Sequence, residues 1–168
     1  MRHTLLAGLL LVAACSGGGK TAATTTTAVD PFGGTSSSSS APPLATPLRV
    51  GECFDAASFT PGRPIDPTTI ELLLCARPHQ HEVYAVFLRP DGPKDAFPGA
   101  EALDAWAEDH CLGAFAGYVS MAYDRSTLDL APVRPTPTSW ANGDRQVSCA
   151  LHSATFDLIA GSMKGAGK

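Results

Sequence analysis

Beyond Pro47 the chain breaks into short apolar runs separated by proline and glycine. Leu48-Arg49-Val50-Gly51-Glu52-Cys53-Phe54 alternates and predicts a first strand, and Thr69-Ile70-Glu71-Leu72-Leu73-Leu74-Cys75 predicts a second, more buried one. His81-Glu82-Val83-Tyr84-Ala85-Val86-Phe87-Leu88 is β-branched and aromatic, and Arg89-Pro90-Asp91-Gly92 stops it, which predicts a third strand paired antiparallel with the second. From Gly99 to about Ser120 the period changes. Leu103, Trp106, Ala107, His110, Ala114 and Tyr118 recur three or four apart, which predicts an amphipathic helix. Glu101 and Asp104 suit its positive end, while Gly113 and Gly117 weaken its second half. Thr127-Leu128-Asp129-Leu130 predicts a short strand, broken by Pro132, Pro135 and Pro137. Arg145 to His152 predicts a last one, preceded by the tight-turn pair Asn142-Gly143. The expected class is α+β: a small, mostly antiparallel sheet with one main helix.

The N-terminus follows a different pattern. Met1-Arg2-His3-Thr4 carries positive charge and precedes the apolar run Leu5 to Ala14. That run is far shorter than the ~20 residues a permanent membrane helix needs, so it reads as the core of a removable signal peptide, residues 1–14. Val12-Ala13-Ala14-Cys15 resembles the lipobox of bacterial lipoproteins, and Ser16-Gly17-Gly18-Gly19 resembles the tether that follows one. The resemblance implies cleavage before Cys15 and lipidation of that cysteine, with acyl chains such as palmitate. Each buried CH₂ adds about 0.8 kcal/mol, so several chains hold a protein durably. The expected location is the outer face of the cytoplasmic membrane.

Residues 15–46 hold almost no apolar bulk, and Thr24 to Thr27 and Ser36 to Ser40 are homopolymeric. Such a segment cannot form a core and predicts a stalk, whose ~31 residues would span roughly 30 Å as a random coil. The remainder, 47–168, is long enough for one hydrophobic core, which predicts one domain. A formal net charge of −4 argues against nucleic acid as a partner.

Of the five cysteines, Cys53, Cys75, Cys111 and Cys149 fall in the domain. In an oxidising compartment they predict two disulfides. Four cysteines allow three pairings. The favoured one is Cys53–Cys75, tying the first strand to the second, with Cys111–Cys149 stapling the helix to the last strand. The rival reading is zinc, because Cys75-Ala76-Arg77-Pro78-His79-Gln80-His81 packs a thiol and two imidazoles into a short run, yet zinc requires free thiolates.

Three further groups could bind or react. His79, His81 and Glu82 offer acid and base, and strand alternation would put the two histidines on one face. No nucleophile is marked beside them, so a polar turn or a ligand contact is the simpler reading. Trp140, Asp144 and Arg145 place an aromatic beside an acid–base pair, which suits either a platform for a sugar or peptide, or packing. The tail Gly161-Ser162-Met163-Lys164-Gly165-Ala166-Gly167-Lys168 lacks the spacing of a phosphate loop. Neither a catalytic set, a metal nor a cofactor is expected.

Taken in order, Val50-Gly51-Glu52-Cys53-Phe54, Cys75-Ala76-Arg77-Pro78-His79-Gln80-His81-Glu82-Val83-Tyr84-Ala85, Cys111 and Trp140-Ala141-Asn142-Gly143-Asp144-Arg145-Gln146-Val147-Ser148-Cys149 are similar to the septum-formation family of actinobacterial exported or membrane-anchored domains. Gln80-His81 departs from the family, which commonly has an acidic residue or alanine after the histidine. The resemblance implies an envelope domain linked to septation and implies no reaction. The leading expectation is a noncatalytic lipoprotein, held to the membrane through Cys15, that binds a division protein or cell-wall polymer. The alternatives are an envelope hydrolase using His79 or His81, and an extracytoplasmic sensor with an apolar pocket at Trp140.

Overall fold

The computed structural model describes residues 47–168. The expected signal peptide (1–14), the expected lipidation site Cys15 and the expected stalk (15–46) lie outside the described residues. Within them, five strands form one antiparallel sheet in the order β2-β1-β3-β5-β4. These are β1 (Cys53–Ala56), β2 (Ile70–Leu73), β3 (His81–Leu88), β4 (Leu128–Leu130) and β5 (Gln146–Ser153). Helix α1 (Ala100–Val119) packs on one face, and a short helix α2 (Pro137–Ala141) precedes β5. The expected α+β class with one main helix is what the chain adopts. No helix among the described residues is long and apolar enough to cross a membrane.

The third strand matches its predicted span, but its neighbours differ from expectation. β3 lies between β1 and β5, and β2 pairs with β1 alone. The second run is therefore an edge, not the more buried strand its composition suggested. Leu74, just past its end, is 75% exposed. The central position goes to chains that bury residues on both faces, as Cys53 with Phe54 and Glu82 with Val83 do. The first strand also starts later than its alternation suggested. Gly51 takes φ +87°, a left-handed turn that ends the extended run from Leu48.

Between Val83 and Ala85 the register against β5 slips by one residue. This bulge sends both Tyr84 and Ala85 to the helix face, where β3 would otherwise alternate. The core on that face joins Tyr84, Cys149 and Leu151 of the sheet to Cys111, Phe115, Tyr118 and Val119 of α1. The buried stripe of the helix runs Leu103, Ala107, Cys111, Phe115, Tyr118 and Val119, so Trp106, His110 and Ala114 flank it. On the opposite face the packing is different. Phe54, Val83 and Ala150 are covered there by Leu48, Ile65, Ala131 and Val133 from irregular segments.

Two disulfides staple this frame, and they follow the favoured pairing. Cys53–Cys75 joins β1 to the end of β2, and Cys111–Cys149 joins α1 to β5. The sequence reading missed α2. Its signal was present in Thr136-Pro137-Thr138-Ser139: Thr136 caps the helix and accepts from the Ser139 N–H at 3.0 Å, Ser139 Oγ accepts from the Thr136 N–H at 3.0 Å, and proline sits in the first turn. Asn142-Gly143 ends this helix and does not join two strands. Gly143 alone takes positive φ, at +90°.

Candidate functional site

In the segment from His79 to Glu82, His79, His81 and Glu82 are each 0% exposed, and Gln80 alone is partly exposed. Glu82 faces the helix. Its Oε1 accepts from the Tyr118 hydroxyl at 2.6 Å and from the Ser162 hydroxyl, and its Oε2 accepts from the Met163 N–H at 2.6 Å. A buried carboxylate is tolerated because three donors replace its water. Burial, then the bond to Glu82, pushes the Tyr118 hydroxyl up to about 12. Glu82 thus ties β3 to the end of α1 and to the C-terminal segment.

His79 lies on the same face. One of its ring nitrogens, Cys53 Sγ and a Glu82 carboxylate oxygen all fall within 4.8 Å of one another. Nδ1 lies 2.7 Å from the Arg77 carbonyl, which can only accept, so Nδ1 carries the proton and Nε2 the lone pair of the neutral ring. Nε2 is buried without a hydrogen-bond partner. The zinc reading fails in this state of the protein, because Cys53 and Cys75 are bonded to each other and offer no thiolate.

His81 lies on the opposite face, which corrects the expectation that the two histidines share one. His79 precedes the strand and bridges to Ile159. Gln80 is then held to β1 through its N–H to Asp55 Oδ1 at 2.7 Å and its Oε1 to the Ala56 N–H at 2.9 Å. His81 stacks on Phe54 at 5.0 Å between ring centroids, and meets the edge of Phe59 at 4.4 Å and of His152 at 5.8 Å. Neither of its nitrogens has a partner. Burial first, then the charges of His152 and His79, depress its pKa to about 3, so the ring is neutral at physiological pH.

This nest reaches solvent at the partly exposed Phe59, while His152 is only 5% exposed. Two clefts, of about 370 and about 190 Å³, are lined by both residues. The larger adds the acidic residues Asp104, Glu108 and Asp129, and Arg63. The smaller is closed by Phe156 and Leu158, which are 53% and 58% exposed. Phe156 stacks on His152 at 5.3 Å and holds φ +62°, left-handed backbone that a bulky side chain rarely adopts. Such strain costs on the order of 1–3 kcal/mol and collects where a ligand or partner is met. The turn is fixed by the Phe156 N–H to the Ser153 carbonyl at 2.9 Å and by the Thr155 hydroxyl to Asp157 at 2.6 Å.

A third cleft of about 440 Å³ lies elsewhere, between Leu48, Ile70, Leu72 and Val133. Trp140 lines none of these three. It is 2% exposed, and its Nε1–H donates to the Asp95 carbonyl at 2.8 Å. The Arg145 guanidinium lies 3.7 Å from the centroid of its ring and donates to the carbonyls of Trp140, Asp144 and Gly92. Asp144 accepts from the Gln146 N–H at 3.0 Å. These three residues brace the entry to β5 and present no aromatic face to a ligand.

Six candidates named from sequence thus divide into a buried anchor (His79, Glu82), an imidazole inside an aromatic nest (His81) and a brace (Trp140, Asp144, Arg145). Phe59, Phe156 and the buried His152 between them, which line the clefts, carried no sequence motif. The one legible hint was His152, a histidine near the end of a strand that otherwise reads as core.

No curated protein and no solved structure matches the chain. A family model described as Septum formation matches residues 50–165. That span takes in β1 through β5, both disulfides, and the Phe59, His152 and Phe156 surface. The chain belongs to the septum-formation family.

Proposed function

We propose that this chain is an exported, lipid-anchored envelope protein whose septum-formation domain binds a partner protein through the Phe59, His152 and Phe156 surface. The observation that carries the proposal is Phe156, a half-exposed aromatic held in left-handed backbone at the mouth of a cleft. Folding alone favours an αL-tolerant polar residue there, so a strained, solvent-facing phenylalanine is explained by what it docks against. The family supports a role in division at the envelope. The two disulfides support an oxidising compartment, in keeping with export and with Cys15 as the lipid anchor on the outer face of the cytoplasmic membrane. The hydrolase reading would require His79 or His81 to reach substrate from a wholly buried position.

The test places a photo-crosslinker at Leu158 of the full chain in dividing cells. A discrete crosslinked envelope protein, lost in a Phe156→Asn variant of normal stability, supports the proposal. The same crosslinking pattern with Phe156→Asn would remove this surface from consideration. Membrane retention of Cys15→Ala with unchanged mass would remove the anchor.

A further inference from the structure

The two disulfides differ in surroundings. Cys111 and Cys149 are both 0% exposed among the core side chains of the helix face. Cys53 is equally buried, but Cys75 is partly exposed, on a turn whose neighbours Leu74, Ala76 and Arg77 face solvent. Cys75, partly exposed and with its Sγ 3.3 Å from the Gly51 carbonyl, is therefore the side of this pair open to an external thiolate, while Cys53 is sealed. Beside the hidden sulfur sits the His79 ring, with a buried Nε2 that has no hydrogen-bond partner. A ring nitrogen of His79 lies within 4.8 Å of Cys53 Sγ, so the imidazole is placed to respond to a charge or proton on that sulfur.

We propose that Cys53–Cys75 is a thiol–disulfide exchange site for an extracytoplasmic dithiol, attacked at Cys75, with the His79 ring beside the leaving Cys53 sulfur taking up the proton that the attacking thiol gives up. The thiolate of the dithiol bonds to Cys75 Sγ, the Cys53–Cys75 bond breaks, and its electron pair goes to Cys53 Sγ. The proton lost by the attacking thiol ends on the Cys53–His79 pair. The second thiol of the reagent then attacks its own sulfur in the mixed disulfide and releases Cys75, which takes the second proton from solvent. The dithiol is oxidised to a disulfide, and Cys53 and Cys75 are reduced to thiols. An imidazolium beside the leaving sulfur lowers its pKa and speeds its departure. Opening this bond unties β1 from the end of β2, the edge strand.

The test uses the full chain, a small monothiol to trap the mixed disulfide, and dithiothreitol for complete exchange. Expected are an adduct on Cys75 and not on Cys53, and opening of Cys53–Cys75 while Cys111–Cys149 stays closed. His79→Gln should slow opening by roughly tenfold. In the reduced protein, the ultraviolet absorbance of the thiolate should appear at lower pH than for an ordinary cysteine, and His79→Gln should return it upward, a readout that loss of packing does not produce. Adducts divided evenly between Cys53 and Cys75, both disulfides opening together, or a thiolate titration unmoved by His79→Gln would each overturn the proposal. The adduct position is read in the unmutated protein, so it decides even if His79→Gln does not fold.

Discussion

The Glu82 carboxylate accepts the Tyr118 hydroxyl at 2.6 Å, joining the start of the central strand to the last turn of the helix. The same carboxylate takes the Ser162 hydroxyl and the Met163 N–H, so one side chain holds three parts of the chain that are distant in sequence. Truncating it leaves the buried Tyr118 hydroxyl and Met163 N–H unpaired and frees the exposed Ser162 hydroxyl, whereas removing one donor leaves the charge still held by two.

Glu82→Ala should therefore lower stability by about 3–5 kcal/mol, and Tyr118→Phe by about 1–3 kcal/mol. Urea midpoints at neutral pH check both values. A smaller loss for Glu82→Ala than for Tyr118→Phe would contradict the hub.

His81 gives the domain a pH dependence of definite sign. Its pKa falls from 6.5 in the unfolded chain to about 3 in the folded one, so only the unfolded chain takes the proton between those values. Stability from this group is unaffected above pH 6.5 and is lost as pH drops toward 3, at about 1.4 kcal/mol per unit. His81→Phe, which keeps an aromatic between Phe54 and Phe59, should flatten that slope. Denaturation midpoints of both proteins at pH 7 and pH 4.5 test it.

Phe156 separates stability from binding. Phe156→Asn exchanges a bulky residue at φ +62° for one that tolerates this backbone, and loses the stack on His152. The two effects oppose, so the unfolding free energy should move by less than about 1 kcal/mol. Crosslinking from Leu158 should nevertheless fall away. A large destabilisation would mean that Phe156 is there for packing.

Arg145→Lys should cost about 2–3 kcal/mol. A lysine cannot stack flat on Trp140 at 3.7 Å while donating to the Trp140, Asp144 and Gly92 carbonyls. Thermal unfolding with near-ultraviolet circular dichroism, which reports the Trp140 environment, is the measurement.

Replacing Cys111 and Cys149 together by alanine should remove about 3–4 kcal/mol, from the entropy of a loop spanning 38 residues. An unchanged urea midpoint in this double variant would contradict the prediction and show that core packing alone holds α1 to β5.

Local chemistry made much of the architecture readable before any coordinates. The β-branched and aromatic run from His81 to Leu88, the helical spacing from Gly99 to Ser120 and the even cysteine count in the domain led directly to β3, α1 and two disulfides. The same local signals misplaced β2, because a run of leucines reads alike at a sheet edge and at its centre. Edge or centre depends on which strands lie alongside, and here β1 and β5 flank β3.

The candidate site shows the same division. Residue type alone marked His79, His81 and Glu82 as chemically capable, and no local pattern could show that two of them face the helix while the third faces an aromatic nest. Phe59, His152 and Phe156 meet only because a loop after β1, the end of β5 and the turn beyond it converge. By itself the sequence determined the elements, the cysteine set and the family resemblance, since these depend on neighbours within a few residues. The tertiary structure decided strand order, the face of each histidine and the exposed aromatic surface, since these depend on burial against segments far along the chain.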